Sequence, residues 1–428
     1  MIMDIDTQIG RRNVLALGGS FAVAAASPLL AKPSMSSRFN WKLHRPEEVG
    51  MSAAGLVGIR KAIQNHIDSN ALPGAVTAIA RHNKLVWFEA QGVSDPVTKT
   101  PMRTDNLFRM MSSTKQVTAV AVMMMIEAGR IALNDKVSRF IPSFSDPKVA
   151  AGKELVAAER EITVKDRLTH TSGLGSGGAG TLLAPTKRLP ADVLGDYVKR
   201  LGAQPLDFQP GSKFAYSPGD GFDTLLRIVE IVSGVPADVF VRERITQPLE
   251  MVDTSFNPSP KRLARLVKLH ERKDSKWQPA TAIFGNGPTK YISGAGGLMS
   301  TARDYLQFEA MLLNKGALNG RRLLKPETVA LMATNHVGDL YENAIPQFKA
   351  MTAGQVFGLG VAVTLDPKAA NTGRASGAFG WPGAYGTNSW ADPELGISAA
   401  FFVQQPNILA TFFAANDFAR AIRAAIVS

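Results

Sequence analysis

Cysteine is absent from the 428 residues. Its absence excludes a disulfide framework, a thiolate nucleophile, a cysteine-based zinc site and a lipid-bearing amino-terminal cysteine. Histidine is scarce too. The six present form neither H-x-x-H nor H-E-x-x-H, the spacings that put two imidazoles on one helix face for zinc. Past the amino terminus, no apolar run is long enough to read as a membrane span. Basic runs are also missing. Lysine and arginine total 48 against 36 aspartates and glutamates, a net charge of +12. The basic residues are scattered and not interleaved with aromatics, which argues against nucleic-acid binding and for a solvated basic surface. With 45% hydrophobic and 20% charged residues, the chain is neither disordered nor fibrous.

The amino terminus reads as an address. Gly10-Arg11-Arg12-Asn13-Val14-Leu15 opens a moderately apolar run to Leu30, broken at Gly18-Gly19 and Pro28. Paired arginines before so short and interrupted a run have the pattern of a twin-arginine export signal, not of a membrane anchor. Residues 1–31 are expected to be that signal, handing the chain to the twin-arginine machinery. The mature protein is then expected in the periplasm or outside the cell, with no stable membrane span.

Strands are expected near both ends of the remaining chain and helices between them. Gly74–Arg81, His82-Asn83 and Lys84–Glu89 form a β-branched run, a turn and a second run, which is a hairpin signal. Val117, Val120, Ala121, Met124 and Met125 recur at helical spacing in a run ending near Gly129. Gly221–Val232 reads as another helix. Phe357–Leu365, Gly383–Trp390 and Ile397–Gln404 read as strands, Ile408–Ala414 as strand or helix, and Phe418–Val427 as a closing helix. The expected fold is α/β of the α+β type. One antiparallel sheet from both chain ends is flanked by helices, in a single domain over 45–428 with a helical insertion at approximately 115–290.

Three motifs carry chemistry. Ser112-Ser113-Thr114-Lys115 is an S-x-x-K. Positions i and i+3 of a helix share a face, so the Lys115 amine can stand beside the Ser112 hydroxyl and take its proton. Ser112 in the first helical turn would also aim free backbone N–H groups at an oxyanion. Ser145-Asp146-Pro147-Lys148 repeats the pattern, but its proline denies it a helical face. Tyr216-Ser217-Pro218 offers a phenol that can shuttle a proton to a leaving group. Trp381-Pro382-Gly383-Ala384 lies in a glycine-rich run where a ligand can approach the backbone closely, so the Ala384 N–H is a candidate second oxyanion donor.

S-x-x-K, then Tyr-Ser about a hundred residues later, then Trp-x-Gly near the end resembles the serine β-lactamase and penicillin-binding superfamily. Ile162–Leu174 (ITVKDRLTHTSGL), Gly296–Asp304 (GGLMSTARD), Leu323–Val329 and Phe357–Gly360 resemble its class C-like branch, which holds esterases, peptidases, amide hydrolases and acyltransferases. The resemblance spans roughly residues 45–425. It implies a Ser112 acyl-enzyme, proton transfer by Lys115 and Tyr216, and an oxyanion site from the N–H groups of Ser112 and Ala384. Trp381, Gly383 and Tyr385 would line the substrate pocket, and no metal or organic cofactor is implied. Two departures stand out. Trp381 replaces the cationic residue that opens the third motif in β-lactamases and peptidases, and Pro218 stands where β-lactamases commonly have Asn. Both favour uncharged acyl esters over a β-lactam, and the expected partner is a small-molecule ester or amide substrate. A β-lactamase or D-amino peptidase-type amide hydrolase, an acyltransferase and an inactive cell-wall-binding homologue are the alternatives. His170 reads as structural.

Overall fold

Alternation along the first long strand decides the layering. The computed structural model describes residues 39–284, 288–344, 349 and 351–427; the expected signal, residues 1–31, lies outside them. Helix α1 (Ala53–Asp68) is capped by the Ser52 side chain, which accepts from the Gly55 N–H. Strand β1 (Gly74–Arg81) follows, with its first seven residues buried. Val76, Ala78 and Ala80 enter one apolar cluster, and Ala75 and Ile79 enter another. A strand buried on both sides must be covered on both sides.

The expected hairpin is present. His82 and Asn83 both have positive φ, at 51° and 64°, and turn β1 into β2 (Lys84–Asp95) with Arg81 opposite Lys84. After β3 (Thr100–Pro101) the chain leaves the main sheet. It passes through α2 (Thr114–Glu127), α3 (Asp220–Ser233), α4 (Ala302–Leu313) and small hairpins. It returns as β4 (Gln355–Phe357), β5 (Ala362–Thr364), β6 (Phe379–Gly380), β7 (Thr387–Asp392) and β8 (Ile397–Phe402). Helix α5 (Ile408–Ala425) closes the described chain. The eight strands run in the order β4-β5-β6-β7-β8-β1-β2-β3, antiparallel throughout. This is the mixed α/β fold expected, with a large antiparallel sheet and helices.

Two expectations are corrected and one open reading is resolved as helix. Phe357–Leu365 is not one strand: Gly358–Val361 turns β4 back onto β5, with Gly360 at φ 82°. Gly383–Trp390 becomes a strand only at Thr387, and residues 381–386 form a loop. The apolar run from Ile408 and the closing segment are one helix, started by the Asn407 side chain at the Ala410 N–H.

The two chain ends cover one sheet face. Ile59 and Ile63 of α1 meet Ala415, Phe418 and Ile422 of α5 over Ile79, Trp390 and Phe401. Helices α2, α3 and α4 lie in the cluster on the other face. Where α1 crosses α5, a Cβ on Gly55 would sit 2.4 Å from the Ala425 Cα. Helix propensity favours Gly55→Ala by about 1 kcal/mol. The contact predicts the reverse, a loss of about 1–3 kcal/mol from overpacking. Chemical denaturation of the variant decides between them, and unchanged or raised stability would contradict so close a crossing.

Candidate active site

A strained turn delivers the serine. Met111 is buried at φ 47°, a conformation that a residue with a Cβ adopts at a cost and that clusters at functional positions. Ser112 follows it in the 3-10 turn Met111–Ser113. The serine therefore stands just ahead of α2, not in its first turn. The turn is fixed from several sides. The Ser113 hydroxyl donates to the Trp381 carbonyl at 3.2 Å, Tyr305 O–H to the Ser113 carbonyl at 2.5 Å, and Thr387 Oγ1 to the Met110 carbonyl at 2.9 Å.

Lys115, on α2, is 0% exposed. Its Nζ donates to Ser112 Oγ at 3.0 Å, the Pro218 carbonyl at 2.7 Å and the Ala295 carbonyl at 2.9 Å. The carbonyls can only accept, so they fix two hydrogens and leave the third tetrahedral direction for Ser112. An ammonium fills that direction with a hydrogen, and a neutral amine fills it with its lone pair. The nitrogen can therefore exchange a proton with the serine without moving. In the second S-x-x-K, Lys148 pairs with Asp146 instead.

Tyr216 completes the grip, donating to Ser112 Oγ at 2.7 Å and receiving the Trp381 indole N–H at 3.3 Å. Its loop is set by His170, whose Nδ1 accepts the Ser217 N–H at 3.1 Å and whose ring centroid lies 4.6 Å from that of Tyr216. Burial, helped by the Lys115 and Arg167 cations, pushes the imidazole well below its ordinary pKa. His170 is thus a neutral prop for the Tyr216 loop, a role that its ring among Phe214, Phe222 and Phe357 also fits.

Trp381 closes the site on the sheet side. Its carbonyl also takes the Gln116 side-chain N–H at 3.2 Å, so α2 holds this loop's backbone. Beneath lies Glu309, which accepts from Ser389 Oγ at 2.6 Å. Burial pushes its carboxyl up to about 8, so near neutrality it brings a proton and not a charge. Gly383 is required sterically, because a Cβ there would lie 2.2 Å from the Met110 carbonyl. Ala384 and Tyr385 share an apolar cluster with Met111 and Phe284. The Ala384 N–H has no acceptor among the described residues. Tyr385 is buried, and its hydroxyl accepts the Ile283 N–H at 2.9 Å, so it braces the wall.

All seven residues singled out from the sequence therefore converge on one site. Sequence reasoning missed the two carbonyls that hold Lys115, because a backbone acceptor leaves no mark on residue type. It also passed over Ser113, Gln116 and Thr387. Arg374, a cation from the same strand region, donates to Asn388 and lies 4.2 Å over the Trp390 ring. Among the described residues no group of acidic, histidine or cysteine side chains is placed to hold a metal, and no helix is long and apolar enough to cross a membrane.

The Beta-lactamase family profile matches residues 59–424. The chain belongs to the Beta-lactamase family. Esterase EstB of Burkholderia gladioli is 32% identical over 383 residues, covering 82% of this chain and 91% of EstB. Protein Rv1367c of Mycobacterium tuberculosis is 34% identical over 367 residues, covering 82% and 90%. Among solved structures, EstCE1, described as a hydrolase with promiscuous acyltransferase activity, superposes with a TM-score of 0.74. It is 28% identical, with 87% of this chain and 100% of EstCE1 covered. The relatives support a serine hydrolase of the Beta-lactamase family.

Neutral His170 has a consequence for stability. Its folded-state pKa lies below the unfolded value of 6.5, so its contribution is present above that pH and lost as pH falls through it. Wild type should therefore lose stability between pH 7.5 and 5 relative to His170→Gln, in denaturation curves of both proteins. Parallel losses would contradict a neutral His170.

Proposed function

We propose that the protein hydrolyses carboxylic esters of uncharged acyl groups through an acyl-enzyme on Ser112. One observation carries the reading: Ser112 Oγ sits between Lys115 Nζ at 3.0 Å and Tyr216 O–H at 2.7 Å, beside an indole where a cation would be needed to hold a carboxylate. The Ser112 proton passes to the Lys115 amine as Oγ attacks the acyl carbon. The oxyanion is received by the N–H groups of Ser112 and Ala384. Tyr216, bonded to the same oxygen, relays a proton to the departing alcohol. Water then repeats the sequence on the acyl-enzyme and releases the acid. Lys115 ends each half as it began, so no cofactor is consumed. The esterase relative EstB supports this reading. An alcohol in place of water would give acyl transfer, the second activity named for EstCE1.

Export belongs to the same proposal. Arg11-Arg12 and the broken apolar run to Leu30 support twin-arginine delivery to the periplasm or beyond.

Two outcomes are expected. Lys115→Arg should lose about a hundred- to ten-thousandfold in kcat, nearly as much as Lys115→Ala, because a guanidinium stays protonated and cannot serve as the base. A functional arginine variant would show that Lys115 supplies charge alone. On wild type, kcat/KM for a short-chain p-nitrophenyl ester should exceed that for a chromogenic cephalosporin by at least about a hundredfold, the roughly 2.7 kcal/mol of one missing charge-assisted contact. Comparable values would sink the ester reading and restore the β-lactamase one.

A further inference from the structure

Lys115 has no carboxylate within salt-bridge distance among the described residues. A buried carboxylate nevertheless stands one residue behind it. Asp223, on α3, is 3% exposed. Its Oδ1 accepts from Ser293 Oγ at 2.8 Å and from the Ala295 N–H at 3.0 Å, and its Oδ2 accepts from Tyr291 O–H at 2.6 Å. Burial pushes its carboxyl above the ordinary carboxylate pKa, and these three donors oppose that shift. Each donor belongs to the segment 291–295, so a single side chain of α3 ties that segment down. The segment is also confined on the other side, where Thr118 of α2 donates to the Gly294 carbonyl at 2.7 Å. Gly294 itself would bring a Cβ to 2.6 Å from the Phe222 carbonyl.

Ala295 is where this clamp meets the site. Its N–H is held by Asp223, and its carbonyl is one of the two that orient the Lys115 amine. The other, from Pro218, lies just before the start of α3. The direction left to the Lys115 nitrogen, and so the aim of its hydrogen or lone pair at Ser112, depends on both carbonyls being in place.

We propose that Asp223 is a positioning residue for Lys115: it fixes Ala295 so that the amine points at the serine hydroxyl. The proposal rests on the reading of Lys115 as the base. Its role is one of reach, not charge. An amide of the same length can still accept from Ala295 and Ser293, and a shorter side chain cannot.

The test compares Asp223→Asn and Asp223→Ser for ester turnover, thermal stability and the rate at which an organophosphonate labels Ser112. Asp223→Ser should lose about thirty- to a hundredfold in both kcat and labelling rate, the cost of a misplacement of about 1 Å. Its KM should stay within about threefold, because ground-state binding is untouched. Asp223→Asn should restore both rates to within about fivefold of wild type. A folded Asp223→Ser that labels at the wild-type rate would overturn the proposal. So would a folded Asp223→Asn as slow as Asp223→Ser, since charge would then be what matters. Should Asp223→Ser fail to fold, Ser293→Ala decides, because it removes one hydroxyl from the same clamp: a several-fold fall in kcat at constant KM supports the proposal, and an unchanged kcat overturns it. Lys115→Ala separates the two readings. If it labels as fast as wild type, the account of the base fails. If it is dead while a folded Asp223→Ser labels at the wild-type rate, only the role of Asp223 falls.

Discussion

A lysine amine buried to 0% exposure is the constraint on which the site depends. A cation in a protein interior is costly unless its hydrogens are received, and lysine is almost never fully buried without a partner. Here two main-chain carbonyls and the Ser112 hydroxyl receive them. A carboxylate in direct contact would keep the amine as an ammonium, which has no lone pair to take a proton. Carbonyls satisfy the nitrogen in either protonation state, which is what a group that takes and returns a proton requires. The carbonyls come from the loop before α3 and from the turn before the Met299–Ser300 strand. In the proposed mechanism the packing of α2 against both segments is therefore part of the chemistry.

The sheet supplies the opposite wall. Strand β7 is buried over its whole length, and its first residue, Thr387, ties the Met110 carbonyl on one side and Ser113 on the other. The 381–386 loop cannot drift from the nucleophile turn without breaking these bonds, those of Ser113 and Gln116 to the Trp381 carbonyl, and the tight approach of Gly383. The flat Trp381 indole forms part of this wall. It lies 5.4 Å from Tyr216 between ring centroids and edge-on to Phe357 at 5.2 Å. In the proposed reaction such a wall offers apolar contact to an acyl or alcohol group.

Local patterns carried much of this into the sequence. The β1–β2 hairpin was legible because two strand-forming runs flank His82-Asn83, and Asn83 suits the positive-φ turn. The pairing of Ser112 with Lys115 was legible because three residues close one helical turn. The collinear motifs then gathered Tyr216, Trp381 and Ala384 from a hundred or more residues away. The rest was hidden for physical reasons. Methionine gives no sign of a left-handed backbone, so the 3-10 turn at Met111–Ser113 read as the start of the helix. The runs 357–365 and 383–390 read as strands, because the glycines at 358, 360 and 383 do not by themselves show where a strand will break. The Asp223 carboxylate meets the Ala295 backbone across a separation of 72 residues, and no spacing rule reaches that far.

The proposed mechanism turns on which oxygen becomes acylated. The most direct measurement is intact-protein mass spectrometry during turnover of a slowly deacylated ester, followed by peptide mapping of the adduct. One acyl group per chain on the peptide containing Ser112, absent in Ser112→Ala, is the predicted result. Turnover without any adduct, or an acyl group on Ser172, Ser217 or Ser293, would contradict the account.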